Sequence, residues 1–245
     1  MVRVQPGELE EQIVVERRFR GPQASGNGGY TCGLVAGLLD AGTVEVTLRL
    51  PPPLDTPLAV VRDGDTVRIL DGEAFVAEAG PAELELEPAP PVPYAEAERI
   101  SAARPLEADH PFPGCFVCGT GREPGDALCL RPVPLGDGRV AAPWRVPASL
   151  AGDARFAWAA LDCPGGWAVQ PDASRGISVL GRLTARVREA PAAGDECVVV
   201  AWPLGGDGAR RLHAGTALYR GDDLLASARA VWFLMDPAVA DFPAR

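Results

Sequence analysis

The sequence contains no lysine and only two histidines, and its charge balance is acidic. All 23 basic residues are therefore arginine, and the formal net charge is −10. An acidic total argues against general nucleic-acid binding, which needs a basic face. It leaves room for a local arginine pocket, because the guanidinium group binds phosphate in a bidentate manner. We therefore expect a small molecule, and no nucleic acid, as the partner of this protein.

Long apolar runs are also missing. No stretch approaches the roughly 18 apolar residues of a membrane-spanning helix, and residues 1–19 lack the basic and then apolar order of a secretory signal. We therefore expect a cytoplasmic protein without membrane association. In that compartment, six cysteines in a chain of 245 residues indicate free thiols rather than a disulfide framework.

Proline divides the chain into two parts. Four of the seven residues 87–93 are proline, which can neither continue a helix nor occupy a central strand. A short helix is predicted next, over Tyr94–Ala103, and a loop rich in Pro, Gly and Cys follows it. We predict an N-terminal unit over residues 1–90, a linker over 91–114 and a C-terminal unit over 115–245.

Both parts show the same order of predicted elements: one strand, one apolar helix and then several antiparallel strands. The first helix lies within Ser25–Gly42 and the second within Ala154–Cys163. Asp-Gly and Arg-Gly turns separate alternating runs, which is typical of hairpins. The stretch "LDGEAFVAEA" from Leu70 also matches "YRGDDLLASA" from Tyr219. We infer a duplicated unit. The predicted strands begin at Gln12, Thr43, Leu58, Thr66, Glu73 and Ala82 in the first part and at Arg139, Ile177, Glu196, Arg210 and Leu224 in the second.

This order of elements is that of the hotdog fold, in which an antiparallel sheet wraps around a central helix. A single unit leaves one sheet edge uncovered, and two units side by side bury it. The predicted fold is therefore an α+β double hotdog, with two such units in one polypeptide. Because hotdog sheets often pair further, a homodimer of double hotdogs is a candidate assembly.

Three stretches of the sequence resemble segments of a known superfamily. "GNGGYTCGLVAGLL" resembles a helix entry opened by a Gly-Gly pair, and "PGCFVCGTGREPGDALCLRP" resembles a Cys-rich segment of small bacterial hotdog proteins. "TLRLPPPLDTPLAVVRDGDTVRILDGEAFVAEA" resembles a long hairpin run. Together they resemble the double-hotdog acyl-CoA thioesterases, of the phenylacetate-pathway and acyl-CoA thioesterase II types. The resemblance implies hydrolysis of an acyl thioester, with acyl-CoA as substrate and no metal or other cofactor.

Asn27, Gly28 and Gly29 stand where the family usually has His-Gly-Gly, so the resemblance transfers no catalytic histidine. A helix N-terminus presents unpaired N–H groups and a positive dipole end, and glycine lets a carbonyl group approach them. We predict that the Gly28 and Gly29 amides stabilise the oxyanion of the reaction. The alternative is a loop that caps a structural helix, with Asn27 as its N-cap.

Asp162 is the candidate that activates water or attacks the thioester. It follows the apolar run Trp158–Leu161, where desolvation would raise its pKa, and residues 164–166 are predicted to end the helix. The alternative is a helix-end aspartate that is solvated or caps a turn. Asp40, at the matching place in the first part, reads as a helix exit. We therefore predict one composite site, formed by the glycine pair and Asp162, and a degenerate counterpart.

Three further residues are candidates for binding the substrate. Ser178 and Arg182 lie on the predicted strand after the second helix, where the superfamily often lines its substrate tunnel. Arg175 is a candidate for contact with a pantetheine or nucleotide phosphate. Surface or sheet-edge roles are the alternative for all three.

The histidines favour other functions only weakly. His110, in "DHPFPG", resembles the His-Phe-Pro-Gly of hotdog acyl dehydratases, but Asp162 lies much further along the chain than the carboxylate of those enzymes. His213 has no partner motif. A dehydratase of hydroxyacyl thioesters and a non-catalytic protein that binds acyl-CoA or lipid therefore stay as alternatives to the thioesterase.

Cys115 and Cys118 form a single C-x-x-C pair. A structural zinc site needs four ligands, commonly with a second pair at regular spacing. Cys129, Cys163 and His110 are possible additional ligands, but their spacing matches no standard site. We expect a tight turn with buried thiols and no metal.

Overall fold

The computed structural model describes residues 11–104, 110–170, 176–207 and 210–235. The strands are β1 (Gln12–Ile13), β2 (Val44–Leu48), β3 (Leu58–Asp63), β4 (Thr66–Asp71), β5 (Ala74–Pro81), β6 (Val133–Pro134), β7 (Val140–Arg145), β8 (Ile177–Val187), β9 (Glu196–Gly206), β10 (Arg211–Arg220) and β11 (Asp223–Met235). The α-helices are α1 (Gly28–Ala36), α2 (Tyr94–Ala102), α3 (Ala154–Ala160) and α4 (Cys163–Val169). None of the helices in these ranges combines the length and the apolar character that crossing a bilayer requires.

The strands form one antiparallel sheet in which the two halves of the chain repeat the same order. The sheet runs β1-β3-β4-β5-β2-β8-β11-β10-β9-β7-β6. Starting from the central β2–β8 pair, the first half reads β2-β5-β4-β3-β1 and the second reads β8-β11-β10-β9-β7. Val46 of β2 lies opposite Leu183 of β8, and both are buried. The two halves are therefore joined edge to edge, and the α+β class predicted from the sequence is confirmed.

The repeat extends to a single hairpin. Gly72, between β4 and β5, and Gly221, between β10 and β11, have φ values of 58° and 57°. In each hairpin the strand register shifts just before the turn, between Ile69 and Leu70 in one and between Leu218 and Tyr219 in the other. The matched letters around Leu70 and Tyr219 thus encode the same backbone, with glycine where a positive φ excludes most residues.

Helix α1 packs against α3 through its glycines. A Cβ added to Gly33 would lie 2.7 Å from the Cβ of Trp158 and 3.0 Å from the Cα of Arg155. A Cβ on Gly29, one turn earlier, would lie 2.8 Å from the carbonyl oxygen of Trp158. Glycine in a helix costs about 1 kcal/mol relative to alanine, and here it allows two helices to approach more closely than any side chain permits.

Three sequence-based boundaries are wrong. The strand predicted from Gln12 ends at Ile13, and a 3₁₀ turn follows at Arg17–Phe19. The strand predicted from Ala82 does not form, because β5 ends opposite the first residue of β2, and no other strand of the described residues lies beyond that point to pair with it. The helix predicted over Ala154–Cys163 breaks at residues 161–162. Residues 164–166 lie inside α4 instead of ending a helix, since proline is tolerated in a first helical turn.

Candidate functional site

The break between α3 and α4 places Asp162 in the protein interior. Its backbone has φ −81° and ψ −88°, outside the helical region. The Asp162 amide donates to the carbonyl oxygen of Ala159, and its own carbonyl oxygen accepts from the Gly165 amide. The residue is only 2% exposed. The two short helices therefore leave a carboxylate at their junction, within the core rather than at a solvated helix end.

The Asp162 carboxylate is bonded to the N-terminus of α1, in the other half of the chain. Its Oδ2 accepts from the Gly29 amide at 2.9 Å and from Nδ2 of Asn27 at 2.8 Å. Its Oδ1 is buried and accepts from none of the described residues. Burial raises the pKa of Asp162 to about 7, although both hydrogen bonds act to lower it. One oxygen is thus anchored, and the other is buried without a hydrogen-bond partner among the described residues.

The two glycines at the N-terminus of α1 make different contacts. Asn27 caps the helix, since its Oδ1 accepts from the Tyr30 amide at 2.8 Å. The Gly29 amide bonds to Asp162, and a Cβ there would lie 2.4 Å from the Cβ of Asp162. The Gly28 amide has no hydrogen-bond acceptor among the described residues, and Gly28 lines a cavity. The two glycines predicted as a pair therefore differ in role. The Gly29 amide binds the Asp162 carboxylate, and Gly28 lies at the cavity with an amide that has no acceptor among the described residues.

This cavity has a volume of about 620 Å³ and lies at the junction of the two halves. Two of the predicted substrate-binding residues, Ser178 and Arg182, line it, and Arg175 lies outside the described residues. Asp162, Asn27 and Gly28 belong to the same wall. The cavity also contains residues that sequence reasoning missed: Phe112, Arg211, His213, Val231, Trp232 and Phe233.

Arg182 is held in place across the junction between β2 and β8. Its Nε donates to Oγ1 of Thr47 at 3.0 Å, and its guanidinium lies 3.3 Å from the Glu45 carboxylate. The side chain stays 43% exposed, so it can still meet a ligand. Sequence alone placed Arg182 on the correct strand but could not identify these partners, which lie about 135 residues away.

A second polar group borders the cavity on β10. Nε2 of His213 lies 2.6 Å from the Asp207 carboxylate, and the Arg211 guanidinium lies 2.7 Å from the same group. Hydrogen bonds from both lower the pKa of Asp207 to about 2. Arg211 and His213 are two positions apart and so share one face of a strand. The alternation of side chains along a strand is the sequence signal that could have placed both residues on one face.

The histidine and the cysteines considered as metal ligands in the sequence analysis lie in different surroundings. His110 borders a smaller cavity of about 100 Å³, where its Nδ1 accepts from the Phe112 amide. Cys163 lies beside the C-x-x-C pair, with its Sγ 3.7 Å from that of Cys115. Cys129 lies apart, and its Sγ is directed at the carbonyl oxygen of Arg122. None of the six cysteines, all of which the structure describes, forms a disulfide.

No family model and no curated protein matches this sequence, but solved structures do. A protein assigned as a thioesterase from Novosphingobium aromaticivorans is similar with a TM-score of 0.59 and 16% identity, over 95% of this chain and 98% of that chain. A hot dog fold protein from Alicyclobacillus acidocaldarius gives 0.57 and 14%, over 93% of both chains. The tesB protein of Mycobacterium avium subsp. paratuberculosis gives 0.54 and 15%, over 85% of this chain and 87% of that chain. At such identities the likeness shows the fold, and it confirms the predicted hotdog fold.

Proposed function

We propose that this protein hydrolyses an acyl thioester, with acyl-CoA as substrate, at the cavity where α1 meets Asp162. The observation that carries the proposal is the buried Asp162 carboxylate of the second half, bonded to the helix N-terminus of the first. Several solved structures with this fold carry thioesterase names, which supports the reaction class without identifying the substrate.

Asp162 acts as the general base in this proposal. Its Oδ1 accepts a proton from a water molecule while Oδ2 stays bonded to Gly29 and Asn27. The water oxygen then forms a bond to the thioester carbonyl carbon. When the tetrahedral intermediate collapses, the carbon–sulfur bond breaks and the protonated Asp162 returns its proton to the sulfur. The thiol and the carboxylic acid leave, and the carboxylate of Asp162 is restored. Anchoring one carboxylate oxygen orients the other, which is the geometric need of general base catalysis.

Gly28 provides the donor for the developing oxyanion. Its amide is at the first position of α1, where no intrahelical acceptor exists and the helix dipole is positive. A Cβ at this position would lie 2.9 Å from Cδ2 of Leu180, so glycine allows Leu180 to pack against the start of α1. Donors that are fixed before the reaction stabilise the oxyanion without reorganisation.

The remaining cavity accommodates the acyl group and the carrier. Ser178, Arg182 and the predicted Arg175 contact the substrate in this proposal, with arginine at the phosphates of CoA. We also propose that the chain is a double hotdog, with units 1–90 and 115–245 joined by residues 91–114. It works in the cytoplasm, where two chains can form a homodimer.

The test is a thiol-release assay over a series of acyl-CoA chain lengths. We expect turnover by the wild type and a fall in kcat of about 10²- to 10⁴-fold in Asp162→Asn, the usual contribution of a general base. The matched control is Asp40→Asn, which changes the exposed counterpart in the first half and leaves kcat unchanged. A folded Asp162→Asn protein with the kcat of the wild type would reject the assignment of Asp162 as the general base.

A non-catalytic protein that binds acyl-CoA or lipid is the second candidate. One observation favours it: the Gly29 amide is occupied by Asp162, so the Gly28 amide is the remaining N-terminal donor of the predicted pair. Calorimetry with acyl-CoA separates the two candidates. Saturable binding without thiol release at any chain length supports the non-catalytic binding protein, and turnover supports the hydrolase.

A further inference from the structure

Three cysteines from two distant parts of the chain lie together on the cavity wall. The Sγ atoms of Cys115, Cys118 and Cys163 are all within 4.8 Å of one another, and those of Cys115 and Cys163 are 3.7 Å apart. All three line the large cavity, and Cys118 and Cys163 also line the smaller one. The fold thus adds a third thiol, 48 residues away, to the C-x-x-C pair.

The separation of the Cys115 and Cys163 sulfurs matches that of two ligands of one metal ion. Thiolates bound tetrahedrally to one zinc, at about 2.3 Å each, lie about 3.8 Å from one another. The distance of 3.7 Å between Cys115 and Cys163 is close to this value. A disulfide joins its sulfurs at about 2.05 Å, so the same distance does not describe a bridge. The Cys115–Cys163 pair therefore has the spacing of two thiolates on one ion, and Cys118 lies within 4.8 Å of both.

The loop around the pair has the tight turn that brings two such ligands together. The Val117 amide donates to Sγ of Cys115 at 3.4 Å, and the Gly119 amide donates to the carbonyl oxygen of Cys115 at 3.0 Å. A Cβ on Gly119 would lie 2.5 Å from that oxygen. Glycine after the second cysteine is therefore required by this turn, and C-x-x-C is a common spacing of zinc ligands.

Donors around the sulfurs complete the surroundings that a thiolate ligand needs. Besides the Val117 amide, Nδ2 of Asn27 lies 3.8 Å from Sγ of Cys115 and 3.9 Å from Sγ of Cys163. Donors to ligand atoms orient them and stabilise their charge. Asn27 thereby connects the cluster to Asp162, to which the same nitrogen donates.

We propose that Cys115, Cys118 and Cys163 bind one zinc ion whose fourth coordination position faces the cavity. No other Cys, His, Asp or Glu in the described ranges belongs to this group, so the protein supplies three ligands, as in zinc sites that retain a position for water or substrate. The proposal departs from the expectation of no metal, because the spacing in sequence did not distinguish Cys163 from the other possible ligands, Cys129 and His110. It does not depend on the proposed hydrolysis, since its readout is metal content.

The test is the metal content of the full-length protein, purified under reducing conditions without added zinc and measured by mass spectrometry. We expect about one zinc per chain in the wild type and less than about a tenth of this in Cys118→Ser and Cys163→Ser, because each variant lacks a ligand. The matched control is Cys129→Ser, which removes a thiol outside the group and retains the zinc.

Cobalt substitution keeps the proposal testable if a serine variant fails to fold. Wild-type protein stripped of metal and loaded with Co²⁺ should show thiolate-to-cobalt charge-transfer absorption and the visible bands of a tetrahedral site. Wild-type protein without zinc and without these bands would overturn the proposal, as would an iron cluster or a disulfide within the group. Zinc without thiol release would leave this site standing and reject only the hydrolase.

Discussion

The central helices of the two halves both begin at an Asn or Asp cap, but the two caps make different contacts. Asn27 accepts from the Tyr30 amide with Oδ1 and donates to Asp162 with Nδ2. Asp153 accepts from the Arg155 amide and pairs with the Arg155 guanidinium, so these contacts stay within α3. A side-chain amide carries a donor and an acceptor, whereas a carboxylate only accepts. Only the first cap can therefore hold the helix and bind an acid from the other half.

The residues that follow the C-terminal ends of the two central helices also differ. Asp40, which follows α1, is exposed, whereas its counterpart Asp162 is buried at the break between α3 and α4. The repeated strand order supplies the same framework to both halves. Differences at a few positions then give one half the capping amide and the other half the acid. The two halves, which repeat one strand order, thus make unlike contributions to the contact between Asn27 and Asp162.

Among the changes that test this comparison of the two halves, the largest effect is expected when the first cap is made to resemble the second. Asn27→Asp keeps an efficient N-cap, but it removes the donor to Asp162 and places a second carboxylate beside it. A lost hydrogen bond to a charged group is worth about 1.5–3 kcal/mol, so we expect kcat for thioester hydrolysis to fall about 10- to 100-fold. The converse change, Asp153→Asn, should leave kcat unaltered. An Asn27→Asp enzyme with wild-type kcat would show that the Asn27 contact has no role in the reaction.

The close helix contact can be broken at one glycine. Gly29→Ala adds a Cβ that would lie 2.4 Å from the Cβ of Asp162, so α1 and α3 must separate. We expect a loss of about 1–3 kcal/mol in the free energy of unfolding, typical of overpacking. Gly37→Ala is the control, because the nearest atoms to its added Cβ are 3.5 Å away. Chemical denaturation measures both, and equal stabilities would contradict the observed approach.

The matching hairpins provide a test of the repeat itself. Alanine at Gly72 or Gly221 must adopt a φ near 58°, which costs about 1–2 kcal/mol for residues with a Cβ. Because the two turns share their backbone, we expect Gly72→Ala and Gly221→Ala to lower the free energy of unfolding by the same amount. Gly42→Ala, with no atoms near the added Cβ, should be neutral. Clearly unequal losses in the free energy of unfolding, measured by thermal or chemical denaturation, would indicate that the two turns do not contribute equally to stability, although their backbones match.

The smallest expected effect concerns the junction of the halves. Arg182→Gln removes an exposed ion pair with Glu45 and a candidate contact to substrate phosphate. An exposed contact of Arg182 with a phosphate is screened by solvent like other exposed ion pairs, which contribute about 0–1 kcal/mol. We therefore expect KM for acyl-CoA to rise at most about fivefold with kcat unchanged. Steady-state kinetics measures this split. A fall in kcat at unchanged KM would assign Arg182 to the chemistry instead of to binding.

The sequence alone was sufficient for the repeated order of elements, the two central helices, the Gly72 and Gly221 turns and the resemblance to hotdog proteins. These features depend on residues a few positions apart, so hydrophobic alternation and turn chemistry predict them. Asp162 was also predicted to be buried, because an apolar run precedes it.

Only the tertiary structure decided what Asp162, Gly29 and the cysteines contact. The Asp162–Gly29 bond spans 133 residues and the Cys115–Cys163 pair spans 48, and no local pattern records either. The break at Asp162 and the end of β5 likewise depended on which neighbours were present to pack or pair. Local preferences form the helices and turns, whereas contacts between distant residues follow from the way α1 and α3 pack, and that packing created the site.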